Sequence, residues 1–557
     1  MSKRSLSPAA LPPSKRLHSL SGSAPLIALT FESALYEELV LLIFAHLSWV
    51  DLCAAQGVSK NWARLSLDSG LWKSQYLQVG CRLLSLDSGL WKSQYLQVFG
   101  RSRLRGAKGF IGRTDGREIK KLPERAAVPE SLELKDWRWM FRISWNWKKG
   151  HCSVEHIDGI LKSPGPGFTS TSPPPHVLLA GSVTIIASSM ESLCPEVHCL
   201  HGASAPKQML LCGSPRHRQP FHITALALDQ SPPLSGVLRL AVFLSTGEFM
   251  VFSIHNPSAS SRELTYVPLR ATPRTAPIIQ AVYHHPLLIS LSEAFTLSLY
   301  DLSSDSIAHT QTLTTYTTFP PSSLILSAQT PGTRYKLVLT YAVPIFPVHF
   351  SIGVTELIIH ASSVPGGSMS VISTRTARAL DVPAGWIDQE KLRSMREQWG
   401  RKLLRIQATQ SDGKWVVLAP GEPPLPGQTS SGTSSAAISP YPLSGDSPAS
   451  LQLYRLFLPP ATSVASPPPK LTFIRYLHHM AGAVSSMALA DGRCVTLGKN
   501  GGIWVWDLES GTGAEVAPPS RSGDPEVDLV QEGTVVFDDR RIITARGGNL
   551  LVHRFDI

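Results

Sequence analysis

Between residues 31 and 72, hydrophobic positions recur at intervals that predict a series of short amphipathic helices. A first helix is indicated by apolar residues at every fourth position, with glutamates near its start, where carboxylates favour a helix N-terminus. A second helix is predicted from Asp51 to Gln56, and Val58 begins the apolar face of a third. The residues of the first stripe are Leu35, Leu39, Ile43 and Leu47. Helices within about 45 residues bury little apolar surface, so we expect this bundle to need a partner or a neighbouring domain to be stable.

Beyond Gly150 the pattern changes to short apolar runs separated by turn residues, which predicts β-strands. Asp491-Gly492 and Asn500-Gly501 are typical hairpin turns. The predicted strands are 177–180, 183–187, 223–228, 238–243, 248–254, 279–282, 287–291, 295–302, 484–489, 493–497, 502–508, 534–537, 541–545 and 549–555.

The spacing of these strands predicts a propeller of seven blades. Strands that close a unit end near positions 254, 302, 360, 457, 508 and 556, at intervals of 48, 58, 97, 51 and 48. A propeller blade takes about 40 to 50 residues, and a weaker unit before Cys199 completes the count. The long interval holds two insertions: a helix within 386–405, and a Pro/Gly/Ser/Thr-rich loop at 420–450 that we expect to be disordered. A pair of β-sandwiches is the alternative fold.

Several predicted strands end in an aromatic residue followed by aspartate, as in Trp506-Asp507 and Tyr300-Asp301. These ends resemble WD repeats, and Phe555-Asp556 is similar. The Gly-His pair that opens such repeats is missing from most units, so the resemblance implies a degenerate WD-type propeller.

The helical segment resembles an F-box. The order of its residues follows the family pattern, which is a leucine-proline start, an Ile-Phe step, an Asp-Leu step, a valine-to-tryptophan step and a closing Leu-Trp. Tyr36 stands where the family has proline, and Ser59 where cysteine is common. The expected fold class is therefore multidomain: a small all-α F-box module followed by an all-β propeller. A generic three-helix bundle is the alternative for this segment.

The resemblance implies that the chain is a non-catalytic subunit of an SCF-type ubiquitin ligase. In that family the F-box docks a Skp-type adaptor, and through it a cullin, while a propeller binds the protein to be ubiquitinated, which is in some cases phosphorylated. The residues implied to form or support the adaptor interface are Leu35, Leu39, Ile43, Phe44, Leu47, Leu52, Val58, Trp62, Leu71 and Trp72. A propeller scaffold without ligase function is the second hypothesis, favoured by Tyr36 and by a duplicated segment.

That duplication is a perfect repeat: residues 65–79 recur letter for letter at 84–98. We expect one copy to pack natively and the other to form a loop or an extra helix. The predicted domains are a disordered basic Ser/Pro tail at 1–28, the F-box at 29–78, the duplicated segment with a basic linker at 79–136, and the propeller at 137–557. Tryptophans between Trp137 and Trp147 are interpreted as a packed junction before the propeller, with base stacking as the alternative.

Composition narrows the function further. The chain has 557 residues, 44 of them proline, and a net charge of +11, part of which lies in a basic stretch from Arg101 to Arg125. We interpret that stretch as a solvated linker and expect no nucleic-acid partner, since it lacks a recognised binding motif. Seven cysteines fit a reducing compartment. With no predicted membrane span or secretory signal, we expect a cytoplasmic or nuclear protein.

No pattern of residues indicates catalysis or a bound cofactor. The sequence lacks a phosphate-binding loop, a nucleophile elbow and a zinc-protease motif. Two cysteines and two histidines fall between Cys194 and His201, but zinc normally needs a second pair of ligands that is not evident here. We therefore expect neither a metal nor another cofactor.

Overall fold

The computed structural model describes two units of the chain, one within residues 1–84 and one within 85–557, and each is treated by itself. The described residues are 35–47, 49–72, 137–157, 173–201, 208–213, 218–231, 237–254, 260–268, 276–304, 306–314, 318–330, 333–345, 348–361, 369–380, 385–421, 450–459, 467–478, 482–519, 532–546 and 548–557. The tail at 1–28, the basic linker, the second copy of the repeat and most of the 420–450 loop lie outside them.

The described part of the first unit includes three short helices: α1 (Glu37–Phe44), α2 (Trp49–Ala55) and α3 (Lys60–Ser66). All three helices predicted from the sequence are present. The first is shorter than the leucine stripe suggests, because Leu35 and Leu47 lie beyond its ends. The core of the module comprises Val40, Phe44, Leu52, Ala55, Leu65, Leu71 and Trp72. Leu65, Leu71 and Trp72 belong to the first copy of the repeat, so that copy packs into the module at least as far as Trp72.

The second unit is a propeller of seven four-stranded antiparallel sheets, which confirms the predicted blade number. Blade 1 contains β2 (His176–Ala180), β3 (Val183–Ala187), β4 (Glu196–Leu200) and β5 (Gln208–Leu211). Blade 2 contains β6 (Ile223–Leu228), β7 (Leu238–Leu244), β8 (Phe249–Ile254) and β9 (Ser260–Tyr266). Blade 3 contains β10 (Ile278–His284), β11 (Leu287–Ser292), β12 (Thr296–Asp301) and β13 (Ala308–Thr314).

The remaining blades follow the same order. Blade 4 contains β14 (Phe319–Thr330), β15 (Arg334–Ile345), β16 (His349–His360) and β17 (Ser370–Arg378). Blade 5 contains β18 (Ile406–Ser411), β19 (Trp415–Pro420), β20 (Ser450–Phe457) and β21 (Lys470–His478). Blade 6 contains β22 (Val484–Ala490), β23 (Arg493–Gly498), β24 (Ile503–Asp507) and β25 (Thr512–Ala517). Blade 7 contains β26 (Gly533–Phe537), β27 (Arg541–Arg546), β28 (Asn549–Arg554) and β1 (Ser153–Ile157).

The ring is closed by the first strand of the propeller. β1 pairs antiparallel with β28, from Ser153 opposite Arg554 to Ile157 opposite Leu550. The innermost strands contact one another in the order β2, β6, β10, β14, β18, β22 and β26, and β26 contacts β2. Pairing strands from the two ends of the propeller region satisfies their backbone groups and joins the last blade to the first.

The strands expected to close each unit are in fact the third strands of their blades. β8, β12, β16, β20 and β24 end within a residue of the positions identified from the sequence, but each is followed by a fourth, outer strand. The outer strands β13 and β17 are largely exposed or half-buried along their length. An outer strand packs at most one of its two faces against the rest of the molecule. It therefore lacks the continuous apolar runs that identify the inner strands in the sequence.

The tryptophan-rich segment forms α4 (Trp137–Lys149), which packs against the propeller. Ile143 and Trp147 are buried among apolar residues of blades 6 and 7. The Trp147 ring stacks on Phe555 with centroids 4.0 Å apart, and its Nε1 donates to the Asp539 carbonyl at 2.8 Å. These contacts favour the packing interpretation of this segment over base stacking. The helix predicted in the 386–405 insertion is α5 (Gln389–Trp399).

Candidate functional site

Helix α1 carries apolar side chains on two sides, and among the described residues of the module only one of these sides is packed into the core. Val40 and Phe44, one turn apart, are 3% and 1% exposed. Leu39, Leu42 and Ile43 occupy a different side of the helix and are 47%, 64% and 42% exposed. A helix that is apolar on more than one side is normally covered on each of them, so α1 has the composition of a buried helix and the exposure of a surface helix.

Tyr36 and Val58 add to the exposed apolar surface. Tyr36 immediately precedes α1 and is 81% exposed, while Val58 lies between α2 and α3 and is 63% exposed. We call the five residues Tyr36, Leu39, Leu42, Ile43 and Val58 the bare face of the module. Contiguous exposed apolar surface of this kind is typical of protein–protein interaction sites, and tyrosine is among the residues that most often carry the binding energy there.

The buried side of α1 holds the helix in place against α3. The Phe44 ring meets Trp62 edge to face, with centroids 5.2 Å apart. At the other end of α1, Glu37 forms an ion pair and hydrogen bond with Arg64. That pair is exposed to solvent and adds little stability, so the orientation of α1 depends mainly on Phe44 and its neighbours.

Local hydrogen bonds help to hold the segments that carry Trp62 and Trp72 in place. The Ser59 hydroxyl accepts a hydrogen bond from the Trp62 amide at 3.1 Å, which caps the start of α3. The Asp68 carboxylate accepts from the amides of Gly70 and Leu71 at 2.8 and 3.1 Å. The Trp72 indole Nε1 then donates to the Ser66 carbonyl at 2.6 Å. The serine that replaces the family's cysteine therefore has a capping role in this chain.

The structure divides the ten residues implied by the F-box resemblance into three groups. Leu39, Ile43 and Val58 are exposed. Leu35, Leu47 and Trp62 are half-buried against the core. Phe44, Leu52, Leu71 and Trp72 are between 0% and 7% exposed. These last four are interior residues, so they are positioned to support an interface and cannot themselves form its contact surface.

Two members of the bare face, Tyr36 and Leu42, were not among the ten. Leu42 follows Leu39 by three residues and therefore lies on the same side of the helix. The four-residue stripe did not separate the two sides, because four residues exceed one helical turn and the stripe drifts around the helix. Helical spacing from Leu39 would have identified Leu42.

Tyr36 departs from the family pattern without changing the path of the backbone. Its φ and ψ angles are −66° and 150°, and proline fixes φ at about −65°. The tyrosine therefore adopts the conformation that proline would impose. The difference lies in the side chain, which adds an exposed aromatic ring immediately before α1.

The second surface to consider is the propeller channel. A cavity of about 240 Å³ is lined by the inner strands, including His176, Gln280 and Gln410. The polar groups here bond to one another: Gln280 Nε2 donates to the Ser322 carbonyl at 2.6 Å, and Ser323 Oγ donates to Gln410 Oε1 at 3.4 Å. The channel therefore fixes neighbouring blades to one another.

Two buried titratable groups of the propeller, Cys199 and His553, are held in their neutral forms. Burial raises the pKa of Cys199 to about 12 and lowers the pKa of His553 to about 4. His198 and Cys199 of the Cys/His-rich segment lie on β4 within blade 1. Across the described parts of the chain, no three His, Cys, Asp or Glu side chains converge so as to hold a metal ion. In the same parts, no helix is long and apolar enough to cross a membrane.

The sequence matches two protein families. Residues 37–78 match the F-box-like family, and residues 203–546 match the family described as F-box protein pof12 beta-propeller. An F-box protein of Saccharomyces cerevisiae is 27% identical over 140 residues, which cover 24% of this chain and 20% of the yeast protein. The aligned region thus spans about a fifth of that relative's length. The WD40 beta propeller domain of Doa1 aligns with a TM-score of 0.35 and 10% identity, over 72% of this chain and 96% of that domain.

Proposed function

Because the chain belongs to the F-box protein pof12 beta-propeller family, we propose that it is the substrate-recognition subunit of an SCF-type ubiquitin ligase. In this role the helical module docks a Skp-type adaptor, which links it to a cullin, and the propeller binds the protein to be ubiquitinated. The chain itself contributes binding and positioning and leaves the chemistry to other subunits. Such a complex would act in the cytoplasm or the nucleus.

The observation that carries the proposal is the bare face of the module. It presents large apolar side chains on one side of α1, while the other side of the same helix is anchored in the core by Val40 and Phe44. A fixed helix loses little conformational freedom on binding, so more of the contact energy becomes affinity. The F-box-like match over residues 37–78 includes this helix, which supports an adaptor as the protein that covers it.

The propeller supports the second half of the proposal. Its ring is closed by β1 pairing with β28, and its inner strands contact one another all the way round. A closed ring holds the loops at its ends in fixed relative positions, and binding residues are commonly found on loops held by a rigid scaffold. Joining such a scaffold to an adaptor-docking module would bring a bound protein to the ligase.

Adaptor capture by the purified full chain tests this proposal. We expect the wild type to bind a Skp-type adaptor, and Leu39→Asp or Ile43→Asp to weaken binding more than about 100-fold, because a carboxylate would be buried without a partner. Leu67→Asp is the matched control: Leu67 is 48% exposed, close to the 47% of Leu39, but follows α3 instead of lying on α1. It should retain near wild-type affinity.

The same variants separate the ligase from the alternative, a propeller scaffold without an adaptor. If the wild type fails to capture the adaptor, or if Leu39→Asp captures it equally well, the scaffold hypothesis is favoured. In cells, proximity labelling with Leu39→Asp should reveal protein partners that accumulate relative to the wild type, because they would bind the propeller without being ubiquitinated.

A further inference from the structure

Helix α5 lies in the connection between β17 of blade 4 and β18 of blade 5, and none of its 11 residues is buried. The carboxylate of Asp388 caps its start, accepting from the Lys391 amide at 2.8 Å. The Lys391 ammonium in turn donates to the Trp386 carbonyl at 3.0 Å. Isolated helices of this length are marginal in water, so α5 depends on its caps and on how its ends are attached.

The end of α5 is fastened to the propeller by backbone hydrogen bonds. Residues 349–352 of β16 pair with β15 but extend beyond the last residue paired with β17. In the place of β17, Phe350 donates to the Leu403 carbonyl at 2.7 Å, and Leu403 donates to the Phe350 carbonyl at 2.9 Å. Gln452 Nε2 also donates to the Arg401 carbonyl at 3.0 Å. The helix is therefore fixed to blades 4 and 5 although its own side chains remain accessible.

The apolar side chains of this segment are incompletely covered. Leu392 and Trp399 are separated by two helical turns on one side of α5 and are 39% and 42% exposed. Met395, between them, is half-buried, and Trp386 before the helix is 86% exposed. We call Trp386, Leu392 and Trp399 the α5 stripe. Two exposed tryptophans on one fixed insertion are typical of a protein-binding surface.

The charges around the stripe indicate what would cover it. By helical spacing, Lys391 and Arg396 border it on its two sides, whereas Glu390 and Glu397 lie on the opposite side of α5. Beyond the helix, the Lys402 ammonium lies 4.7 Å from the centroid of the Trp399 ring. Cations therefore border the apolar residues, and the two acids within the helix lie on its opposite side, while the Asp388 carboxylate beside the stripe is engaged in capping the helix. This arrangement is complementary to an acidic segment with apolar side chains.

We propose that the α5 stripe docks an acidic, hydrophobic segment of the protein substrate. The inference rests on the proposed function, and it assigns to the propeller a specific recognition surface and a partner chemistry. Apolar side chains of the substrate would pack on Leu392 and Trp399, and its carboxylates would pair with Arg396 and Lys402. A membrane surface is disfavoured, because α5 itself carries three cations against two acids, fewer than anionic lipid recognition requires.

Peptide selection on the full chain tests the inference. A random 15-residue display library would be selected on immobilised wild type and depleted on Trp399→Ala. We expect selected peptides to be enriched in Asp and Glu together with Leu or Phe. In fluorescence anisotropy with the best peptide, Arg396→Glu and Trp399→Ala should each weaken binding about tenfold or more. Arg393→Glu is the matched control, with the same charge change on the same helix away from the stripe, and should change affinity less than about threefold.

The outcomes separate this inference from the proposed function. Adaptor capture should be unchanged in Arg396→Glu, and urea denaturation of the full chain should show that its propeller remains folded. If no acidic peptide requires Trp399 for binding while adaptor capture persists, the α5 stripe is not the docking surface and the ligase proposal stands. If Trp399→Ala instead abolishes self-association of the chain or its binding to phosphatidylserine vesicles, a second copy or a membrane covers the stripe and the inference is overturned.

Discussion

Helix α1 of the module and strand β8 of the propeller are both rich in large apolar residues, but they bury them to different extents. Every residue of β8, from Phe249 to Ile254, is buried. In α1, Val40 and Phe44 are buried while Leu39, Leu42 and Ile43 are exposed. The propeller completes its own core by closing a ring, whereas the described part of the small module leaves apolar side chains of α1 exposed, which the proposed adaptor would cover. Changes in the propeller should therefore affect its stability, and changes on the bare face should affect binding.

The largest change in the free energy of unfolding is expected from a cluster of charged side chains around the buried Glu356 of blade 4. Glu356, 1% exposed, pairs with Lys336 Nζ at 2.6 Å and accepts from Arg375 Nε at 2.7 Å. Glu356→Gln would leave the buried Lys336 and the partly buried Arg375 without their anion, lowering the free energy of unfolding by about 3–5 kcal/mol. Urea denaturation of the full chain measures this.

An exposed ion pair provides the control for that measurement. Glu155 and Arg554 are 3.3 Å apart, with side chains 49% and 40% exposed. Glu155→Gln should cost less than about 1 kcal/mol. Equal losses of stability in the two variants would contradict the idea that buried groups stabilise the propeller more than exposed ones do. Loss of adaptor capture in Glu356→Gln under conditions where the module stays folded would contradict the separation of the two regions.

A smaller decrease in the free energy of unfolding is expected when the pH is lowered, because His553 on β28 is buried. Burial lowers the pKa of His553 to about 4, with a further decrease from the nearby charge of His156. The unfolded chain takes up this proton below its ordinary pKa of about 6.5, whereas the folded chain stays neutral until about pH 4. The stabilisation is therefore complete above pH 6.5 and is lost as pH falls towards 4, by about 2–3 kcal/mol.

Comparison with His553→Leu isolates that contribution. The variant should lose less stability than the wild type between pH 7 and pH 4.5, as measured by urea denaturation at each pH. His176, whose pKa burial also lowers, remains in both proteins and cancels in the comparison. Parallel pH profiles for wild type and variant would show that His553 is protonated equally in the folded and unfolded states.

The sequence predicted the inner parts of the propeller well and its closure poorly. Strands such as β7 and β8 are continuous apolar runs that end in recognisable turns, so their number and spacing indicated seven blades. β1 has the sequence Ser-Val-Glu-His-Ile, with three of its five residues exposed. Its partner β28 lies some 400 residues away in the sequence, and the local pattern of residues around β1 does not indicate a pairing with so distant a segment.

In the module the sequence predicted the helices but did not specify which side of α1 is exposed. The F-box resemblance implied that Leu39, Ile43 and Phe44 all form or support the adaptor interface. The structure buries Phe44 against Trp62 and leaves Ile43 exposed, because α3 packs on one side of α1 only. The choice between adjacent residues depends on tertiary packing, which a stripe with a four-residue spacing cannot specify.

An effect of about 1 kcal/mol is expected at the cap of α3. Ser59→Ala removes the acceptor for the Trp62 amide and should lower the stability of α3 by about 1 kcal/mol. Amide hydrogen exchange of residues 60–66 in the full chain measures this locally. Lys60→Ala, one residue further on and exposed, is the control and should change exchange by less than about 0.5 kcal/mol. Equal exchange in the two variants would show that the cap contributes nothing.

The smallest change in stability is expected at Tyr36, where backbone and side chain can be separated. Tyr36→Pro keeps a φ angle already near −66° and retains the carbonyl that accepts from Leu39 and Val40, so the module should keep its stability or gain about 0.4–1 kcal/mol. Tyr36→Ala removes the same ring without fixing the backbone. If the ring contributes to the bare face, both variants should bind the adaptor more weakly than the wild type, with proline the better of the two. If proline binds as well as tyrosine while alanine does not, position 36 acts only through its backbone, and the bare face begins at Leu39.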